Sequence, residues 1–158
     1  MKARIEFTSI NPKYVQALLA VQALADHGGL DKKMLNLVKM RASQLNRCAY
    51  CLDMHSKEAR AAGETEQRLY GLEAWREAPY YSDKERAALE WTEAVTVLQD
   101  GYVPDSVYES VRAQFTESEI TNLTLGVAMI NVWNRLNVSL RTVPGSYRVG
   151  MFKTAGAQ

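Results

Sequence analysis

The chain has no stretch approaching the roughly 18 consecutive apolar residues that a membrane helix requires, and no excess of charge. Lys and Arg number 19 against 18 for Asp and Glu, giving a formal net charge of +1 over 158 residues. No basic face is advertised to nucleic acid or to an anionic membrane, and neither partner is expected. The opening MKARIEFTSI has no apolar core of the secretory kind, so a cytoplasmic protein is expected. There are only 2 cysteines and 2 histidines, too few for a disulfide framework. Nowhere does a period-two alternation of apolar residues compete as strand, and no low-complexity linker or internal repeat divides the chain.

What is present is 3.6-residue periodicity, broken by short turn signals. The pattern predicts an all-α fold, a single domain over 1–158 with six to seven helices, and terminal arms at 1–10 and 146–158. Asn11 and Pro12 open a helix carrying Tyr14, Leu18, Val21 and Ala25, ended by Gly28–Gly29. His27 is read as a residue of that helix's C-terminus. Asp31 caps a second helix with Leu35, Val38, Ala42 and Leu45 on one stripe, stopping near Asn46–Arg47. A third runs from about Ala49 to Gly63. A fourth, shorter one spans Thr65 to about Glu77 and is broken by Pro79.

Ser82-x-x-Glu85 and Thr116-x-x-Glu119 are capping boxes in front of two further helices. Between them, Pro104–Asp105 starts another. The helix after Thr116 is the most apolar, and it is expected at the centre or at a subunit interface. Its polar residues Asn131, Asn134 and Arg135 are expected to fix packing or an oligomer contact, ahead of lining a pocket or holding a neighbouring segment. Arg41 and Gln44 are expected to pin the region of Cys48. Trp75, Trp91 and Trp133 are expected to wall the thiols. The final residues are read as a loose end or an arm docking on a neighbour.

The chemistry is concentrated in RASQLNRCAYCLDMHSKEARAAG, residues 41–63, where Cys48, Cys51 and His55 follow C-x-x-C-x-x-x-H. A helix beginning at Ala49 puts Cys48 at its N-terminus, Cys51 one turn on, and His55 at i+4 from Cys51. A thiolate is stabilised by the positive end of a helix and by an imidazolium. Two thiols so spaced suit attack on a peroxide, followed by closure of the sulfenic acid to a disulfide and reduction by an external dithiol. Buried structural cysteines and a metal site with Cys48, Cys51 and His55 as ligands are the competing readings. Asp53, early in the same helix, is read as structural.

RASQLNRCAYCLDMHSKEAR resembles the core of the carboxymuconolactone decarboxylase superfamily, in its AhpD-like alkylhydroperoxidase branch. The resemblance extends over LVKMRASQ, AGETEQRL, ALEWTEAV and INVWNRL. It implies a helical fold and a homo-oligomer, commonly a trimer or hexamer. It implies a peroxidase that acts on a hydroperoxide and is recycled by a dithiol protein or small dithiol, with no cofactor and no metal.

Carried over by position, Cys51 is the peroxidatic cysteine, Cys48 the resolving one, and His55 the proton relay. The resemblance places a glutamate twelve residues before the first cysteine, where this chain has Asn36. An amide cannot accept a proton at neutral pH. AhpD also has a histidine between its cysteines, where Tyr50 stands here, a poor base at pH 7. Glu93 is the candidate substitute acid, against a reading as a solvated helix-face carboxylate. Two rival functions remain. One is a muconolactone-type decarboxylase, which is not expected to need the cysteine pair. The other is a non-enzymatic redox sensor or assembly module.

Overall fold

The computed structural model describes residues 2–152, which form eight α-helices and no strand. They are α1 (Phe7–Ile10), α2 (Pro12–Asp26), α3 (Lys32–Leu45), α4 (Ala49–Ala61), α5 (Glu66–Tyr70), α6 (Asp83–Val97), α7 (Asp105–Arg112) and α8 (Glu117–Leu140). The all-α expectation holds, with one helix more than the upper count. The addition is α1, a single turn inside what was expected to be an irregular arm. Phe7 there is buried and stacks on Tyr14 with ring centroids 6.4 Å apart. Arg4 ties the same arm to the end of α8, its N–H donating to the Leu140 carbonyl at 2.9 Å.

Sequence signals at the helix ends are mostly realised as side-chain caps. Asp31 accepts from the Met34 N–H at 2.9 Å, and both capping boxes close reciprocally at Ser82/Glu85 and Thr116/Glu119. Asn11 does not cap α2 with its side chain; Pro12 alone, with no N–H to satisfy, starts that helix. The fourth expected helix is shorter than its pattern. α5 ends at Tyr70, and a 3-10 turn over Gly71–Ala74 carries Leu72 into the core. α6 ends on Leu98 in the left-handed conformation (φ +39°), ahead of the expected stop at Gly101. At Gly28 a Cβ would lie 2.6 Å from the Asn122 side chain, which donates to the Gly28 carbonyl. Any larger residue there would have to displace the Asn122 side chain from this contact of α8 with the end of α2.

The centre of the molecule is α3. Every residue from Met34 to Ser43 is buried, because apolar clusters lie on two sides of this helix. Met34, Leu35 and Val38 pack with Ala88 and Trp91 of α6 and with Leu123 and Val127 of α8. Leu37 and Met40 face the other way, to Ala59 of α4, Leu72 of the turn and Leu89 of α6. α8 shares the centre, packing on α2, α3, α4, α6 and α7. Among the described residues no helix is long and apolar enough to cross a membrane.

A helix buried all round must also bury polar side chains, and α3 pairs its charges. Lys39 Nζ lies 2.6 Å from Asp26 of α2, and Arg41 Nε lies 2.7 Å from Glu93 of α6. Removing the carboxylate of either pair is costly, because the cation left behind is a largely desolvated charge.

Leu37 is 0 % exposed, so Leu37→Ala opens a cavity in the core. We expect a loss of about 2–5 kcal/mol in unfolding free energy, read by urea denaturation.

Candidate active site

α3 and α4 are joined by a hinge of three residues whose backbone does two tasks. Arg47 has φ +54°, its N–H donates to the Gln44 carbonyl at 3.0 Å, and the Cys48 N–H donates to the Ser43 carbonyl at 3.0 Å. This is a Schellman closure of α3 with Arg47 in the left-handed position. The same closure ends α4 at Gly63 (φ +85°), where glycine suffers no Cβ penalty. Cys48 then begins α4 directly, as its N-cap. Its sulfur accepts from the Cys51 N–H at 3.3 Å. One residue thus closes one helix and opens the next.

Cys48 and Cys51 are joined as a disulfide, and they are 1 % and 2 % exposed. His55, 5 % exposed, lies one turn below Cys51 on α4, as the spacing predicts. Its Nδ1 is 3.0 Å from Glu58 Oε2. Burial pushes the imidazole below its ordinary range, and the Lys39 charge adds to this, while Glu58 opposes both. The ring is therefore neutral near pH 7. Burial alone would raise Glu58; the hydrogen bonds from His55 and Tyr147, with nearby positive charge, hold its carboxyl at about 2. The Tyr147 hydroxyl donates to Glu58 Oε1 at 2.7 Å.

A ladder of asparagines on α8 supports the hinge from behind. Asn131, Asn134 and Asn137 are three residues apart and share one face. Asn46 Nδ2 donates to Asn131 Oδ1 at 2.8 Å and to Asn134 Oδ1 at 2.9 Å. Asn134 Nδ2 reaches Ser43 Oγ at 3.1 Å, and Asn131 Nδ2 reaches Thr96 Oγ1 at 3.0 Å. Arg135 folds back on Asn131, 2.9 Å from Oδ1. The last rung, Asn137 Nδ2, stands 3.8 Å from the Cys51 sulfur, a donor aimed at the atom that carries charge in a thiolate. The packing reading of Asn131, Asn134 and Arg135 is the one the contacts favour.

The remaining expected residues fall elsewhere. Asn36 is buried on α3 with no partner for Nδ2. Glu93 does not serve the cysteine helix. Its Oε1 takes Arg41 at 2.7 Å and Trp75 Nε1 at 2.8 Å, and its Oε2 takes Arg76 at 2.7 Å. Three donors hold that carboxylate in an ion-pair cluster of its own. Arg41 accordingly pins α6, and reaches Gln44 at 3.1 Å. Tyr50 is half-buried, and burial together with Asp53 and Glu58 raises its hydroxyl further, so it is no base at neutral pH.

The three tryptophans are held in different places. Trp91 lies in the α3/α6/α8 cluster and Trp75 in the α3/α4/α6 one, while Trp133 Nε1 bonds Gln22 of α2 at 3.2 Å. His27 closes α2, as expected, with Nδ1 2.7 Å from the Ala23 carbonyl.

The C-terminal segment docks on its own chain. Gly145 N–H donates to Asp53 Oδ2 at 3.1 Å, and Lys57 Nζ donates to the Tyr147 carbonyl at 3.1 Å. Residues 153–158 of the expected arm lie outside the described residues. Asn46, Asn137, Glu58 and Tyr147 were not singled out from sequence. Two of them carried a signal: Asn137 continues the spacing of Asn131 and Asn134, and Glu58 is at i+3 from His55.

The chain matches the family model described as the carboxymuconolactone decarboxylase family over residues 12–94. It is 37% identical to the uncharacterized protein YdfG of Bacillus subtilis over 140 residues, covering 89% of this chain and 95% of YdfG. A crystal structure from Agrobacterium tumefaciens, of a protein of unknown function described as a candidate antioxidant defence protein AhpD, superposes with TM-score 0.88. The identity is 38%, over 92% of this chain and 100% of that one. The debrominase Bmp8 shares the fold alone, at 16% identity and TM-score 0.79, over 88% of this chain and 75% of Bmp8.

Adjacent substitutions in the hinge have opposite expected signs. Arg47→Gly relieves a left-handed side chain and should stabilise by about 0.5–1 kcal/mol. Asn46→Ala leaves Asn134, which is 0 % exposed, with an unmet acceptor and should cost about 1–3 kcal/mol. Thermal melts of the two variants check both.

Proposed function

Because this chain belongs to the carboxymuconolactone decarboxylase family, in its AhpD-like branch, we propose that it is a thiol-dependent alkylhydroperoxide reductase. The observation that carries this reading is the bonded Cys48–Cys51 pair at the N-terminus of α4, one turn above a buried histidine. In the reduced protein Cys51 is the nucleophile. The Asn137 amide and the helix N-terminus favour its thiolate, and neutral His55 takes the thiol proton.

The Cys51 sulfur attacks one peroxide oxygen. An S–O bond forms, the O–O bond breaks, and the departing alkoxide leaves as an alcohol with the proton held by His55. The Cys48 thiol then gives up its proton as its sulfur attacks the sulfenic sulfur; the S–O bond breaks and the hydroxide leaves with that proton as water, so both thiols are oxidised and the peroxide is reduced. Cys48 suits this step because its sulfur accepts the Cys51 N–H. The same stabilisation makes it a good leaving group when an external dithiol, a protein or a small molecule, attacks the disulfide.

The protein acts in this reading as a homo-oligomer, a trimer or hexamer. Exposed Ile10, Leu24 and Val138 are apolar side chains that a second copy would cover, which supports that part of the proposal.

The test is a titration of free thiols in the reduced protein, handled anaerobically, with and without a small excess of organic hydroperoxide. The wild type should lose both thiols of each chain, while Cys48 of a Cys51→Ser variant stays reduced on that timescale. Retention of both thiols in the wild type overturns the peroxidase reading. Lactone turnover unchanged by Cys51→Ser would point instead to a decarboxylase. A redox-dependent change of assembly without turnover would point to a sensor.

A further inference from the structure

A histidine that accepts a proton on one nitrogen must hold one on the other, and something must decide which. The resemblance places the further acid of the proton relay at the position of Asn36, whose Nδ2 is here buried without a partner. The expected substitute, Glu93, is taken by Arg41, Trp75 and Arg76. A different carboxylate lies against His55. Glu58 sits at i+3 on the same helix, 3.0 Å from Nδ1.

We propose that Glu58, held by Tyr147 of the C-terminal segment, is the positioning residue that fixes His55 as the Nδ1–H tautomer and leaves Nε2 as the acceptor of the Cys51 proton. The inference deepens the peroxidase reading and rests on it for the identity of the reaction. The tautomer itself follows from the donor inventory. An ionised carboxylate only accepts, so a hydrogen bond between Glu58 and Nδ1 places the ring proton on Nδ1.

Tyr147 makes the carboxylate a fixed object. It is buried, its hydroxyl donates to Oε1 at 2.7 Å, and the other oxygen is thereby directed at the imidazole. Tyr147 is in turn seated by two contacts to α4. Lys57 bonds its carbonyl, and Asp53 takes the Gly145 N–H. Its ring stacks with Phe152 at 5.9 Å. The stretch after α8 therefore completes a site formed by α4.

The charged groups that act on His55 come from three elements: Glu58 of α4, Lys39 of α3 and Asp26 of α2. Burial and Lys39 work against the imidazolium, and Glu58 is the largest opposing influence. Loss of the Glu58 charge therefore moves the titration of His55 to lower pH.

The experiment uses nitrogen-edited NMR of the histidine rings in the reduced full chain, titrated with pH. It compares wild type with Glu58→Gln, Glu58→Ala and Tyr147→Phe, and His27 is the internal control. We expect Nδ1–H in the wild type and a titration shifted to lower pH in Glu58→Gln. In Glu58→Ala the rings should populate both tautomers, and hydroperoxide-driven loss of thiols should slow on the order of tenfold or more. Tyr147→Phe should fall between wild type and Glu58→Ala in tautomer population.

A wild-type ring protonated on Nε2 overturns the inference. So does a tautomer unchanged in Glu58→Ala, or a His55 titration unchanged in Glu58→Gln. If Glu58→Ala does not fold, the isosteric Glu58→Gln titration decides. None of the ring measurements uses a peroxide, so failure of the peroxidase reading would be seen separately, as thiols retained in the wild type.

Discussion

The geometry of the site depends on a single backbone event, the left-handed turn at Arg47 that closes α3 and delivers Cys48 to the head of α4. With no residue to spare between the two helices, the direction of α4 is set by the closure of α3 itself. The turn carries a conformational cost, because a side chain in the left-handed region crowds its own carbonyl. The surrounding contacts offset it. Asn46, next to the strained residue, is held by two asparagines of α8, and Cys48 returns a backbone bond to Ser43. The hinge is thus fixed from two directions, by the end of the helix before it and by the helix behind it.

That arrangement explains why α3 and α8 bury polar side chains at the centre of the protein. A core made only of Leu, Val and Ala would bury as much apolar area, but it would leave the Asn46 side-chain amide without its partners on α8. Asn131 and Asn134 supply them, and Asn137 continues the row three residues on. The third rung reaches the sulfur. A structural device and a chemical one are therefore the same stripe of one helix, at successive three-residue steps.

Much of this was legible in the sequence, and for identifiable reasons. Local signals were strong wherever a helix end is determined by its own residues: Asp31, Ser82/Glu85, Thr116/Glu119 and Gly63 all act within one turn. The cysteine helix was readable because its chemistry is also local. Signals failed where tertiary contacts decide. Asn11 looked like a cap, yet its side chain makes no cap bond. Trp75 and Trp91 had core spacing, but spacing cannot say which of two cores receives them. Glu93 was a plausible acid from its neighbourhood in sequence, and only the fold shows Arg41 and Arg76 holding it. Tyr147 lay in a segment with no periodicity, so nothing marked it as a partner of Glu58, 89 residues earlier.

In the proposed peroxidase cycle, the near-complete burial of Cys48 and Cys51 sets a kinetic condition on reduction of the pair. A reductant must approach a sulfur along the S–S axis, and neither sulfur presents a surface along which a protein dithiol could do so. Part of the wall must swing aside first. Under that proposal, the turnover ceiling at saturating reductant is the frequency of that local opening, an intrinsic clock of the chain. Such a gate would make the oxidised state long-lived against collisions with stray thiols, and responsive to a partner that itself prises the wall open.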